Sequence, residues 1–113
     1  MILEVAPLTI IPGQEAEFEA AFAEASALIS AMPGYLGHQL QVCMEQGNHY
    51  LLLVQWQRLE DHTEGFRTSP QYQQWKTLLH HFYHPFPSVL HYQGVMAQAP
   101  GQPLLYPGRE QAS

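Results

Sequence analysis

The stretch Gly65-Phe66-Arg67-Thr68-Ser69-Pro70-Gln71-Tyr72-Gln73-Gln74-Trp75, running on through His80-His81-Phe82-Tyr83 to Pro87-Ser88-Val89-Leu90-His91-Tyr92, concentrates aromatic rings, histidines and one arginine in a short span. Ser69-Pro70 reads as a helix start. A serine oxygen can accept from the free N–H groups of a first turn, and proline fits the first helical position. Tyr72, Trp75, Leu79 and Phe82 then recur at i, i+3, i+7 and i+10, which places them on one helical face. Pro85 and Pro87 end that helix, and residues 88–96 read as a last strand. Just upstream, Glu60 to Arg67 reads as a short helix or turn.

Working outward, residues 35–45 and 49–57 read as two strands joined by Gln46-Gly47-Asn48, a short glycine-containing hairpin connection. Alternation puts Leu36, His38, Leu40, Val42 and Met44 on one face of the first. The second carries bulk on both faces, Tyr50, Leu52, Val54 and Trp56 against Leu51 and Leu53. Residues 14–31 read as a helix, with Phe18, Phe22, Ala25 and Ile29 at helical spacing and Glu15, Glu17 and Glu19 near the positive end of its dipole. Pro33-Gly34 stops it. Residues 2–11 suit a strand, with an edge or bulge expected at Pro7, whose ring nitrogen cannot donate to a ladder.

The order is β, α, β, β, α, β. It predicts an α+β domain of ferredoxin-like topology over residues 1–96, an antiparallel sheet with both helices on one face. Residues 97–113, with Pro100, Pro103 and Pro107, form a tail. A strand with two apolar faces needs cover on both, and one helical layer covers one. The bare face therefore predicts a homodimer.

Composition narrows the function classes. The chain of 113 residues carries a formal charge of −6, and only four residues are basic. That balance disfavours a nucleic-acid partner. No apolar run approaches the roughly 20 residues that span a bilayer, and the start of the chain lacks a basic signal-peptide region. Cys43 is the single cysteine, which excludes an intrachain disulfide and favours a cytoplasmic setting. There is no G-x-G-x-x-G, Walker loop or G-x-S-x-G elbow. His80 and His84 stand four apart, but the pattern lacks the glutamate of H-E-x-x-H and proline follows at once, so a solvated helix end is the plainer reading.

Histidine is the abundant titratable type. His38, among aliphatic residues on its strand face, and His91, beside Tyr92 on the last strand, are candidates to take a proton from a ligand near neutral pH, against the plainer reading of core histidines with satisfied ring nitrogens. Tyr72 and Trp75 share a helix face above Trp56. Large rings with one polar tip suit a cavity for a flat organic molecule, and equally suit a packed core. Arg67 could neutralise a bound anion or pair with Glu64 at the surface.

Trp56 at a strand end, Phe66-Arg67-x-Ser69-Pro70, Tyr72, Trp75 and Pro87-x-Val89-x-His91-Tyr92 together resemble the antibiotic biosynthesis monooxygenase family of the dimeric α+β barrel superfamily. The resemblance implies a pocket between sheet and helices in each subunit. It implies oxygenase chemistry without metal, flavin or other cofactor, on electron-rich phenols that reduce oxygen directly once deprotonated. Tyr72 matches a pocket tyrosine, and Phe66 stands where related members carry tryptophan or histidine. Haem-degrading relatives carry asparagine, tryptophan and histidine where this chain has Ala6 or Pro7, Phe66 and Lys76, which disfavours haem turnover. The expectation is a cofactor-independent monooxygenase of a small phenolic, quinol or polyketide-like compound. His91 or His38 would take the proton, Tyr72 would bond the oxygen functions, and Trp56, Phe66, Arg67 and Trp75 would hold the substrate. The rival is a non-catalytic dimeric module that binds a hydrophobic small molecule.

Overall fold

The computed structural model describes residues 1–96. The expected tail over 97–113 lies outside the described residues. Strands β1 (Ile2–Thr9), β2 (Tyr35–Val42), β3 (His49–Trp56) and β4 (Leu90–Tyr92) form one antiparallel sheet in the order β2-β3-β1-β4. Helices α1 (Glu15–Ser30) and α2 (Pro70–Leu79) pack against each other on one face of it. This is the ferredoxin-like topology that the element order predicts.

Both helices follow local chemistry. Phe18, Phe22, Ala25 and Ile29 are the buried stripe of α1. At the start of α2 the Ser69 Oγ accepts from the Tyr72 N–H at 3.1 Å, with Pro70 at the first helical position. That cap fixes where α2 begins, and so which face carries Trp75 and Leu79 into the core.

Several expectations need correction. The second helix ends at Leu79 and passes into a tight turn, His80–Phe82, instead of running on to Pro85. The last strand is only Leu90–Tyr92, not residues 88–96, because β1 pairs with it along Leu3–Val5 alone. In β2 the register slips between Tyr35 and Gly37. The extra residue, Leu36, is turned out to solvent while Tyr35 packs on the core, as a bulge requires. Met44 lies past the strand end and is exposed.

Pro7 does not break β1. The Ile10 N–H donates to the Asn48 carbonyl on the β3 side, whereas the Thr9 carbonyl accepts from His84 on the other side. Backbone groups of successive residues alternate in direction, so Pro7, like Thr9, presents its nitrogen away from β3. There it falls beyond the short pairing with β4, where no ladder bond is lost.

Alternation along β1 sends Glu4, Ala6, Leu8 and Ile10 inward under the helices. The opposite face of the sheet carries Leu3, Val5, Leu51, Leu53, Leu90 and Tyr92, as the strand registers require. Leu90 and Tyr92 are 56% and 51% exposed there. One glycine is structurally dictated. Gly34 has φ of 83°, and a Cβ on it would lie 2.1 Å from Asp61 Oδ2. Its carbonyl accepts from the Gln57 N–H at 2.8 Å, which ties the end of β3 to the start of β2.

Candidate active site

Between the sheet and α2 lies a cavity of about 340 Å³, within the size range of small-molecule sites. Glu4, Ala6, Leu8 and Leu52 form its floor, and Phe66, Tyr72, Trp75 and Leu79 its roof. His62, Arg67, His80, Tyr83 and Phe86 complete the wall. The roof rings pack edge to face, Phe66 against Tyr72 (centroids 5.2 Å apart) and against Trp75 (5.5 Å).

The unusual feature is Glu4, a carboxyl only 5% exposed on an otherwise apolar strand face. It sits in register between Val54 of β3 and His91 of β4. Trp56, its diagonal neighbour, donates from Nε1 to Glu4 Oε1 at 2.9 Å. His62 Nε2 lies 3.4 Å from the same oxygen, and the His62 ring stacks on Trp56 at 5.6 Å. On its far side His62 Nδ1 is 2.8 Å from His91 Nε2.

A single helical irregularity puts His62 there. Residues Asp61–Phe66 form a π-helical turn in which the Arg67 N–H donates to the His62 carbonyl at 3.1 Å. The wide turn buries both His62 and Phe66 and delivers Arg67 to the cavity wall. Such turns recur at functional sites.

Burial governs the electrostatics. It pushes the Glu4 carboxyl up from 4.5 to about 7, although the Trp56 hydrogen bond and the Arg67 charge pull the other way. Burial, then Arg67 and His91, pushes His62 down to about 3. His62 is thus neutral at neutral pH, and its close contact with Glu4 is not an ion pair whether or not the carboxyl holds its proton. His91 is lowered by burial and by Arg67. Burial raises Tyr72 and Tyr83 above the ordinary phenol value, leaving both hydroxyls protonated and able to donate. His80 is lowered by burial and by Lys76.

The residues singled out from sequence separate into three groups. Tyr72, Phe66, Arg67 and Trp75 line the cavity. Trp56 lies behind the wall, wholly buried, and touches the site through Glu4. His91 reaches the cavity only through His62. His38 does not belong to this constellation. Its ring lies against α1, where Ser26 Oγ is 3.2 Å from Nε2 and Tyr35 OH bonds Nδ1, and burial lowers its basicity. Its nitrogens are satisfied within the core.

Glu4 and His62 are the residues that sequence reasoning missed. The signal for Glu4 was present: with Ala6, Leu8 and Ile10 it completes a period-two apolar face, and a carboxyl in such a series is out of place. His62 had no equivalent signal, because the turn that aims it follows no regular helical period. Among the described residues, no group of three or more His, Cys, Asp or Glu side chains is arranged to hold a metal ion. None of their helices is long and apolar enough to cross a membrane.

A ferredoxin-like sheet roofed on one face, with a cavity lined by titratable groups between the layers, defines a small α+β domain. The chain belongs to the antibiotic biosynthesis monooxygenase family, whose model matches residues 1–78. It is 58% identical over 95 residues to the uncharacterized protein YczJ of Bacillus subtilis, a match covering 84% of this chain and all of that one. A proposed antibiotic biosynthesis monooxygenase from Bordetella bronchiseptica superposes with a TM-score of 0.80 at 35% identity, covering 84% of this chain and 97% of the other. SnoaB, a cofactor-independent oxygenase from Streptomyces nogalater, shares the fold at a TM-score of 0.68 and 22% identity, over 89% and 97% of the two chains.

Proposed function

We propose that this protein is a cofactor-independent monooxygenase of an electron-rich phenolic or polyketide-like aromatic compound, with Glu4 as the group that accepts the substrate proton. The observation that carries the reading is the buried Glu4, poised near neutral pH in the floor of an aromatic-walled cavity of a monooxygenase-family domain. A carboxylate with this basicity is a stronger base than an ordinary surface glutamate and is still substantially ionised at pH 7.

The substrate ring lies between the Phe66 and Trp75 walls and the sheet floor. Tyr72 donates to its oxygen function, and the Arg67 guanidinium favours the anion formed on deprotonation. Trp56 occupies Glu4 Oε1, which leaves Oε2 to receive the proton. The anion then gives one electron to O2, and the radical pair couples to a peroxide at the activated carbon. For an anthrone-type methylene, both hydrogens leave as water with one oxygen atom and the other becomes the new carbonyl. The methylene carbon gives up four electrons in all, two to each atom of O2, so no further reductant is required. A dry, aromatic wall raises the energy of the anion and favours the electron transfer.

The apolar outer face of the sheet supports a homodimer, with Leu3, Val5, Leu51, Leu53, Leu90 and Tyr92 covered by a second copy. A folded single-chain species in sedimentation at micromolar concentration overturns the dimer. For the activity, oxygen uptake is measured with a panel of anthrones and hydroquinones. Uptake with one oxygen atom incorporated from labelled O2 supports the reading. A ligand that binds and is recovered unchanged across the panel overturns it in favour of a binding module.

A further inference from the structure

We propose that His62 and His91 form a proton outlet that converts the protonated form of Glu4 into the base while the substrate is already bound. The inference rests on the monooxygenase reading, and it adds roles for two histidines that do not themselves take the substrate proton.

Three groups stand in line from the cavity floor to the sheet edge. Glu4 Oε1 is 3.4 Å from His62 Nε2, and His62 Nδ1 is 2.8 Å from His91 Nε2. Only the last group nears solvent: Glu4 is 5% and His62 3% exposed, whereas His91 is half-buried on the short edge strand β4. A substrate filling the cavity separates Glu4 from solvent on that side. The Trp56 indole on Oε1 donates only and has no lone pair with which to carry a proton onward. The histidine pair, by contrast, has both an acceptor and a donor at every junction.

The transfer balances without charging either ring. The Glu4 Oε1 proton passes to His62 Nε2, the His62 Nδ1 proton to His91 Nε2, and the His91 Nδ1 proton to water. Glu4 loses one proton, water gains one, and both imidazoles exchange tautomers while staying neutral. A neutral pathway is what the surroundings demand. Arg67 acts on Glu4, His62 and His91 alike, and burial disfavours an imidazolium at His62. Tyr72 from α2, and His80 and Tyr83 from the segment after it, are the other titratable groups facing the cavity; both phenols stay protonated, and burial and Lys76 lower His80.

Two measurements test this. In protein labelled with 15N-histidine, the ring nitrogens of His62 and His91 are followed by NMR through neutral pH. Both rings are expected to switch tautomer together, with one midpoint near 7 that disappears in Glu4→Gln, because the three groups titrate as one system. Independent titration, or a midpoint that survives Glu4→Gln, overturns the proposal whether or not any substrate is known. The second measurement is turnover of His91→Gln, which keeps a hydrogen-bonding side chain but cannot relay. We expect kcat to fall about 10²-fold, with KM unchanged, and to recover on adding imidazole. Full activity without imidazole, or a loss that imidazole does not restore, overturns it. If no substrate of the panel is oxidised, the monooxygenase reading fails while the NMR measurement still decides the relay.

Discussion

Replacing Glu4 by glutamine should make this protein more resistant to alkaline unfolding while abolishing its chemistry. In the folded protein the Glu4 carboxyl is raised from 4.5 to about 7, chiefly by burial. Below about pH 4.5 it is protonated in both the folded and unfolded states and contributes no pH dependence. Between 4.5 and about 7 the unfolded chain has released a proton that the fold retains, so stability falls as pH rises. Above about 7 the loss is complete. At about 1.4 kcal/mol per pH unit it amounts to about 3 kcal/mol, a large part of the 5–15 kcal/mol typical of a domain. The glutamine amide oxygen can still accept from Trp56 Nε1, so the variant removes the charge and keeps the hydrogen bond. Urea unfolding of both proteins, at one protein concentration, at about pH 5 and about pH 8.5, isolates the Glu4 contribution. Wild type should lose about 3 kcal/mol more than Glu4→Gln across that interval. Equal losses would refute the assignment of a buried carboxyl held neutral by desolvation.

Three further predictions use the same geometry. Trp56→Phe deletes the hydrogen bond that lowers the Glu4 pKa; the rising limb of the kcat/KM profile, expected near pH 7 in wild type, should move upward, and stability should fall by about 1–3 kcal/mol. Tyr72→Phe keeps the ring packing on Phe66 and removes the hydroxyl; kcat/KM should fall about 10- to 100-fold in steady-state oxygen uptake, with the unfolding midpoint little changed. Ser69→Ala deletes the cap of α2 and should cost about 1 kcal/mol in urea unfolding, with hydrogen exchange accelerated in the first turn of that helix.

Much of the architecture could be read directly from the chain. The Phe18-Phe22-Ala25-Ile29 stripe, the Ser69-Pro70 cap, the hairpin around Gly47 and the two-faced third strand are local patterns, and local patterns with a regular period survive folding unchanged. The cavity roof was legible for the same reason, since Tyr72 and Trp75 lie on one helix and their spacing fixes their common face. Irregular positions were not legible. Leu36 turns outward at a bulge, the last strand stops after three residues, and the histidines at 80 and 84 fall beyond the helix end.

The composition of the candidate site around Glu4 was decided by tertiary structure alone. Glu4, Trp56, His62 and His91 come from three strands and one π-helical turn, and no sequence period relates them. Sheet register sets Glu4 opposite His91, and the wide turn inserts His62 between them. The value of the Glu4 pKa also belongs to the fold, because it depends on how much water the surrounding side chains remove. Alternation along β1 turns the Glu4 carboxyl inward; desolvation by residues distant along the chain raises its pKa to about 7.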